Sequence, residues 1–250
     1  MIRKIISKIT GEKHGQLTGN ISLPQRTWGF YHEGINIPLL HKGYQPEINK
    51  WVLSDFLLER VIPVVGIHPY PIDELMLMSS SLILSRAKLV IEWGTNIGKS
   101  ARIFHETKQA FDLDCVIHSV DLPPDVDHVE HPGQRRGELV REISSVRLHE
   151  GDGLIVAKKL VTDIGDDEGV LFFLDGDHSY ETVQKELKSV FSMCPRASVL
   201  LHDTFYQEEA SGYNIGPFKA TNEYLDSMSE THFVFRTNLG LPGMTLLLKK

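Results

Sequence analysis

Polar and apolar positions follow different rules in different parts of this chain. Over residues 11–49 Gly, Pro, Asn and His are frequent and no period holds, so the stretch reads as an irregular arm. Trp28, Phe30 and Tyr31 make that arm too apolar for a free linker. A helical period then sets in. Trp51, Val52, Phe56, Leu57 and Val61 mark one face of a helix over 51–61 that Pro63 ends. HPYP at 68–71 is a turn, and Leu75, Met76, Leu82 and Ile83 mark the apolar side of a second helix over 72–85. Its methionines read as core filler. From Lys88 onward, strand and helix patterns alternate. Strands are expected at 89–93 (LVIEW), 115–120 (CVIHSV), 146–150 (VRLHE), 170–175 (VLFFLD), 197–203 (ASVLLHD), 231–237 and 244–250. Helices are expected at 97–111, 134–145, 153–162, 181–191 and 217–228, and a proline-rich loop at 122–132.

Such alternation predicts an α/β fold, a mostly parallel seven-stranded sheet wound on both faces. The last two strands are joined by NLGLPG alone, too short for a parallel crossover, so they form an antiparallel hairpin. The chain divides into residues 1–86, an N-terminal helical and irregular arm packing on the core, and 87–250, the sheet domain.

Composition narrows the class. The first fifty residues hold seven Lys/Arg against three Asp/Glu, while the whole chain has a net charge of −7. An acidic body argues against nucleic acid as the ligand. No run of 18 apolar residues occurs and the N-terminus lacks an apolar signal core, so neither a membrane span nor secretion is expected. Cys115 and Cys194 sit in apolar segments and read as reduced core thiols, which fits a cytoplasmic protein. Ile2, Ile5, Ile6 and Ile9 form one face of a short helix that packs on a partner, and the apolar arm points to a homo-oligomer.

Two stretches carry chemistry. GVLFFLDGDHSYE (169–181) is a dry strand that ends in Asp175, Asp177 and His178. The C-terminal ends of strands are where open α/β sheets bind ligands. A helix cap at Asp177 or Ser179 explains one polar residue there, not three. IEWGTNIGKS (91–100) follows the first strand and opens a helix. Gly94 and Gly98 let the backbone turn tightly, and the helix N-terminus offers free N–H groups. Asn96 replaces the middle glycine of a dinucleotide fingerprint, and Glu92 would repel a pyrophosphate but hold an ammonium group.

The pattern E-x-G-x-x-x-G-x-S resembles motif I of class I S-adenosylmethionine-dependent methyltransferases, a resemblance that covers about 88–250. It implies a Rossmann-like sheet with an antiparallel final strand. It implies that the glycine loop (Glu92, Gly94, Thr95, Asn96, Gly98 and Ser100) wraps the methionine part of the cofactor. Asp121 would then bind the ribose hydroxyls, and Gly151-Asp152 would lie by the adenine. A carboxylate has the acceptors that a diol needs.

FLDGDHSYE followed by LLHD is similar to the metal-dependent small-molecule O-methyltransferases, including the catechol, macrolide-sugar, aminocoumarin-sugar and cephalosporin-hydroxylase-like groups. The resemblance implies a divalent cation held by Asp175 and Asp203, with Asp175 also facing the cofactor. His202 stands where these relatives carry Glu, Asp or Ala. Two carboxylates and waters suit Mg²⁺, and an imidazole tilts the set toward Mn²⁺, Fe²⁺ or Zn²⁺. His178 and Asp177 each stand where one relative or another places its base. His178 is preferred because imidazole is the side chain suited to proton transfer near neutral pH.

The expected activity is metal-assisted methylation of a hydroxyl on a sugar, phenol or other secondary metabolite. Two competitors remain: a metal-dependent oxidoreductase or hydroxylase on the same frame, and a non-catalytic cofactor-binding partner subunit. Of the other candidates, His118 reads as a core histidine, His128 and His131 as loop residues, and Tyr206 and Tyr213 as pocket walls.

Overall fold

The computed structural model of the chain describes residues 48–123, 125–126, 132–164, 169–206, 208, 214–227 and 232–250. The arm with Trp28, Phe30 and Tyr31, the loop histidines His128 and His131, and Tyr213 lie outside the described residues.

All seven expected strands form, in one sheet. They are β1 (Leu89–Trp93), β2 (Val116–Asp121), β3 (Val146–Glu150), β4 (Val170–Leu174), β5 (Ser198–His202), β6 (His232–Arg236) and β7 (Met244–Lys249). Their order across the sheet is β3-β2-β1-β4-β5-β7-β6. The first five run parallel, and β7 lies antiparallel between β5 and β6. The central strands β1, β4 and β5 are buried at every position, as continuous Val, Ile, Leu and Phe runs require when both faces are covered. Register sets Trp93 beside Leu174, and Leu174 beside Leu201. The residues that leave these strands, Gly94, Asp175 and His202, therefore emerge side by side.

Alternate side chains feed two cores. Leu89, Ile91, Phe172, Val199 and Leu201 pack under α5 (Gly153–Ile164), α6 (Tyr180–Met193) and α7 (Ile215–Ser227). Val90, Leu171, Phe173 and Leu200 face the N-terminal helices and α4 (Lys99–Ala110). Phe173 meets the rings of Phe104 and Tyr70 edge-on, at centroid distances of 5.8 and 6.1 Å. Cys115 and Cys194 are buried within these cores as thiols, not joined in a disulfide.

Three expectations need correction. Pro63 does not end the first helix. α1 (Lys50–Phe56), capped by the Asn49 carboxamide oxygen, runs on through a π-helical turn (Leu57–Val61) into α2 (Ile62–Val65). The wider turn lets proline, which has no N–H to donate, fall at the start of α2. Trp51 is 73% exposed, so the buried face begins at Val52. Residues 134–145 are not a helix. A single 3₁₀ turn (Gly133–Arg135) is followed by separate hydrogen-bonded turns, because this segment also bonds to another loop: Gly137 N donates to Asn96 O and Leu139 N to Ile97 O. Gly137 adopts φ +65°, and a Cβ there would stand 2.5 Å from Leu148. By contrast, α3 (Ile72–Ser85) has the expected bounds and packs between α4 and β7. Among the described residues no helix is long and apolar enough to cross a membrane.

Phe173→Ala should cost about 3–5 kcal/mol of unfolding free energy in urea, as loss of a fully buried aromatic requires. A cost below about 1 kcal/mol would contradict the two-core packing.

Candidate active site

The strand ends open into one cleft of about 910 Å³. Its first wall is the loop after β1. Gly94 sits at φ +94°, and a Cβ on it would lie 2.2 Å from the carbonyl oxygen of Asp175, so only glycine lets β1 and β4 exit this closely. Asn96 adopts φ +44°, a conformation asparagine tolerates. Its N–H donates to Asp121 Oδ2 at 2.9 Å, while Leu122 N–H donates to Asp121 Oδ1 at 2.8 Å. The carboxylate ending β2 is thus fixed against the loop, with acceptor capacity to spare. The bonds from Gly137 and Leu139 brace the loop from its other side.

Of the expected cofactor residues, Gly94, Thr95, Asn96, Ser100, Asp121, Gly151, Asp152 and Asp175 line the cleft. Glu92 and Gly98 lie behind its wall. Gly98 backs onto Val140. Glu92 is fully buried, and its Oε1 accepts from Ser119 Oγ at 2.5 Å. Burial pushes its pKa up to about 8 against the opposing hydroxyls of Ser119 and Ser100, so near neutrality the group is largely uncharged. Asp152 Oδ1 also accepts from Ile155 N, at the start of α5.

The second wall gathers the residues after β4 and β5. Asp175 Oδ1 lies 2.9 Å from His202 Nδ1, and Asp203 Oδ2 lies 3.6 Å from the same nitrogen. His178 Nε2 stands 3.1 Å from Asp203 Oδ2 and 3.9 Å from Asp175 Oδ1. Asp203 takes φ +57° at the strand exit, a left-handed turn that aspartate accepts. Burial would lower the pKa of His202, but Asp175, Glu74 and Asp203 outweigh it and hold the imidazole well above its usual value.

Asp177 has another task. Its Oδ1 accepts from Ser179 N at 2.6 Å and its Oδ2 from Thr182 Oγ1 at 3.2 Å, at the start of α6. Partial burial would raise its pKa, yet these bonds hold it below the usual carboxylate value. The cap reading therefore describes Asp177 and Ser179, whereas Asp175 and His178 belong to the cluster.

Two members of the site have no local signal in the sequence. Tyr70 Oη donates to Asp175 Oδ2 at 2.6 Å. Glu74, on α3, lies 3.0 Å from His202 Nε2 and is 1% exposed. A carboxylate on a helix face shared with Leu75, Met78 and Leu82 was the available clue. Glu186, also on the cleft wall, is raised to about 8 by burial and by Asp177 and Asp152. His118 is buried, with Nδ1 2.9 Å from His149 Nε2. Tyr206 stacks on Phe218 instead of lining the cleft.

Asp175, His202 and Asp203 each offer a ligand atom, all within 4.8 Å of one another. Nδ1 of His202 and Oδ1 of Asp175 are both acceptors unless a proton or cation lies between them. This donor set fits a divalent cation.

A seven-stranded sheet in this order, with a glycine loop after β1 and an acidic residue ending β2, defines a class I S-adenosylmethionine-dependent methyltransferase. The family model for rhamnosyl O-methyltransferase/CmcI matches residues 64–239, so the chain belongs to that family and is an S-adenosylmethionine-dependent O-methyltransferase. Solved structures share the fold at low identity. SAH-bound methyltransferase PaMTH1 of Podospora anserina is 14% identical, with TM-score 0.52, over 95% of this chain and 100% of that one. CalS11, a TDP-rhamnose 3'-O-methyltransferase in calicheamicin biosynthesis, is 14% identical with TM-score 0.51, over 78% and 86%. A Bacillus cereus O-methyltransferase in complex with SAH is 10% identical with TM-score 0.51, over 82% and 92%. No curated protein matches the chain.

Glu92 yields a pH prediction. Its folded pKa is raised from 4.5 to about 8, so its contribution to stability is fully present below 4.5 and is lost as pH rises through about 8. Glu92→Gln keeps an acceptor for Ser119 and has no charge to bury. Its melting temperature should gain on the wild type as pH rises through that window. Parallel melting curves across the window would refute the assignment.

Proposed function

We propose that the protein methylates a hydroxyl of a small molecule, a sugar hydroxyl foremost, with a divalent cation held by Asp175, His202 and Asp203 and with His178 as the base. One observation carries the reading: the glycine loop and the Asp175–His202–Asp203 cluster open into the same cleft and touch through Gly94 and Asp175. The family's name and that of CalS11 support a sugar acceptor.

S-adenosylmethionine brings an activated methyl group, and a bound cation would polarise the acceptor hydroxyl and make it more acidic. The chain's own residues do the rest. Asp121, pinned by Asn96 and Leu122, presents a carboxylate suited to a ribose diol. Gly94 to Asn96 would hold the methionine part of the cofactor, and Gly151 and Asp152 would lie by the adenine. Asp203 Oδ2, 3.1 Å from His178 Nε2, orients the ring that would take the acceptor's proton. His178 suits this role better than Asp177, whose two oxygens are committed to the α6 cap. Mg²⁺ or Mn²⁺ fits a site with two carboxylates and one imidazole, with Fe²⁺ a further candidate. The protein otherwise needs only alignment of an in-line displacement.

Release of S-adenosylhomocysteine should follow addition of a nucleotide-sugar or glycoside from a panel that also holds catechols, and chelator should stop it. Asp175→Ala should lower turnover by about 10²-fold or more while S-adenosylhomocysteine binding weakens less. Full activity of that variant with chelator present would end the metal-assisted reading. Asp121→Ala should weaken S-adenosylhomocysteine binding by about 10–100-fold, the loss of hydrogen bonds to a charged acceptor. Unchanged affinity by calorimetry would remove Asp121 from the cofactor site.

A further inference from the structure

We propose that Glu74 is a positioning residue. It fixes the His202 ring so that Nδ1, and not Nε2, faces the cation site, an inference that rests on reading Asp175, His202 and Asp203 as the ligand set. Glu74 is 1% exposed on a helix whose neighbouring buried positions are Leu75, Met78 and Leu82. Any apolar side chain would fill that space without the cost of burying a carboxylate. Both of its oxygens are used. Oε2 lies 3.0 Å from His202 Nε2, and Oε1 accepts from Gly243 N at 2.7 Å.

The geometry constrains the imidazole from several directions. Glu74 Oε2 accepts a hydrogen bond from Nε2–H, which turns Nδ1 toward Asp175 Oδ1 and Asp203 Oδ2. Tyr70 meets the ring edge-on at 4.9 Å and opposes rotation. The second anchor, Gly243, belongs to the turn before β7. Its carbonyl accepts from Thr204 N at 3.0 Å, and Pro242 O accepts from Phe205 N at 3.1 Å. Gly243 cannot carry a side chain, because a Cβ would stand 2.3 Å from Phe205. One carboxylate therefore ties the histidine to the turn that fixes the chain just beyond Asp203. Metal-binding histidines commonly donate their other ring N–H to a carboxylate, which sets the tautomer and the ring orientation. Glu74 occupies that place here, although it comes from the N-terminal helices.

The test is Mn²⁺ titration calorimetry of the full-length wild type, Glu74→Gln, His202→Ala and the double variant, with S-adenosylhomocysteine affinity measured on each. Glutamine keeps the oxygen for Gly243 N and offers an NH₂ where Nε2 needs an acceptor. Glu74→Gln should weaken Mn²⁺ binding by about 10–100-fold. Its S-adenosylhomocysteine affinity should hold. In the His202→Ala background the same change should weaken Mn²⁺ no further, since the effect runs through the ring. Unaltered Mn²⁺ affinity in Glu74→Gln, or an equal loss without His202, overturns the inference while leaving the metal reading intact. A wild type that binds no Mn²⁺ overturns both. Should Glu74→Gln fail to fold, ¹⁵N NMR of Zn²⁺-loaded wild type decides. A proton on Nε2 with metal on Nδ1 is expected, and the reverse refutes the role.

Discussion

The site depends on one close approach, the backbone of Gly94 against the carbonyl of Asp175. A Cβ at residue 94 would fall 2.2 Å from that oxygen. The contact follows from parallel pairing of β1 and β4, in which Trp93 lies beside Leu174 and Asp175 N donates to Trp93 O. It joins two pieces of chemistry that lie some eighty residues apart in sequence. One is a loop that can follow a flexible ligand with backbone groups. The other is a group of side chains able to handle charge. A methyl transfer needs both at one point, because an in-line displacement tolerates little misplacement of donor and acceptor. Glycine at 94 thus sets the spacing of the cleft as well as the turn.

The second constraint is electrostatic. Asp175 and Asp203 stand at the ends of strands that are dry along their whole length, and Glu74 lies buried behind them. Carboxylates gathered in such surroundings repel one another unless positive charge or donors intervene. The protein supplies these from several directions: Tyr70 donates to Asp175, His202 lies between Asp175 and Glu74, and His178 stands against Asp203. Both oxygens of Asp175 and of Glu74 therefore have a defined direction. That order is what a cation or a transferable proton requires of its surroundings.

How much of this was legible in the sequence follows from the range of the forces involved. The central strands were readable because burial on both faces demands unbroken apolar runs, and VLFFL or SVLLH cannot be mistaken for a solvated face. The hairpin was readable from loop length. Asp175, Asp203 and His178 were expected at one place, and they lie together there, because strand termini are positions that topology brings together. The stretch 134–145 was misread because its apolar spacing is helical while its backbone donors go to Asn96 and Ile97, a partnership no local period records. Pro63 misled for a related reason, since a π-helical turn absorbs the missing donor. Tyr70 and Glu74 were invisible as site residues because their partners lie 105 and 128 positions away.

Those last two residues come from the N-terminal helices expected to pack on the core. The boundary placed at 86/87 separates a helical preface from a methyltransferase sheet, and by sequence pattern it is a natural cut. Tyr70 and Glu74 lie before it, yet they bond to Asp175 and His202, which lie beyond it. The helix α3 that carries Glu74 also packs on α4, the helix that begins after the glycine loop, and on β7. Removing the preface would therefore uncover Phe173 and its neighbours, and would leave His202 with one carboxylate partner fewer. The N-terminal helices thus back the cluster at the strand ends, built from a different part of the sequence than the strands they complete.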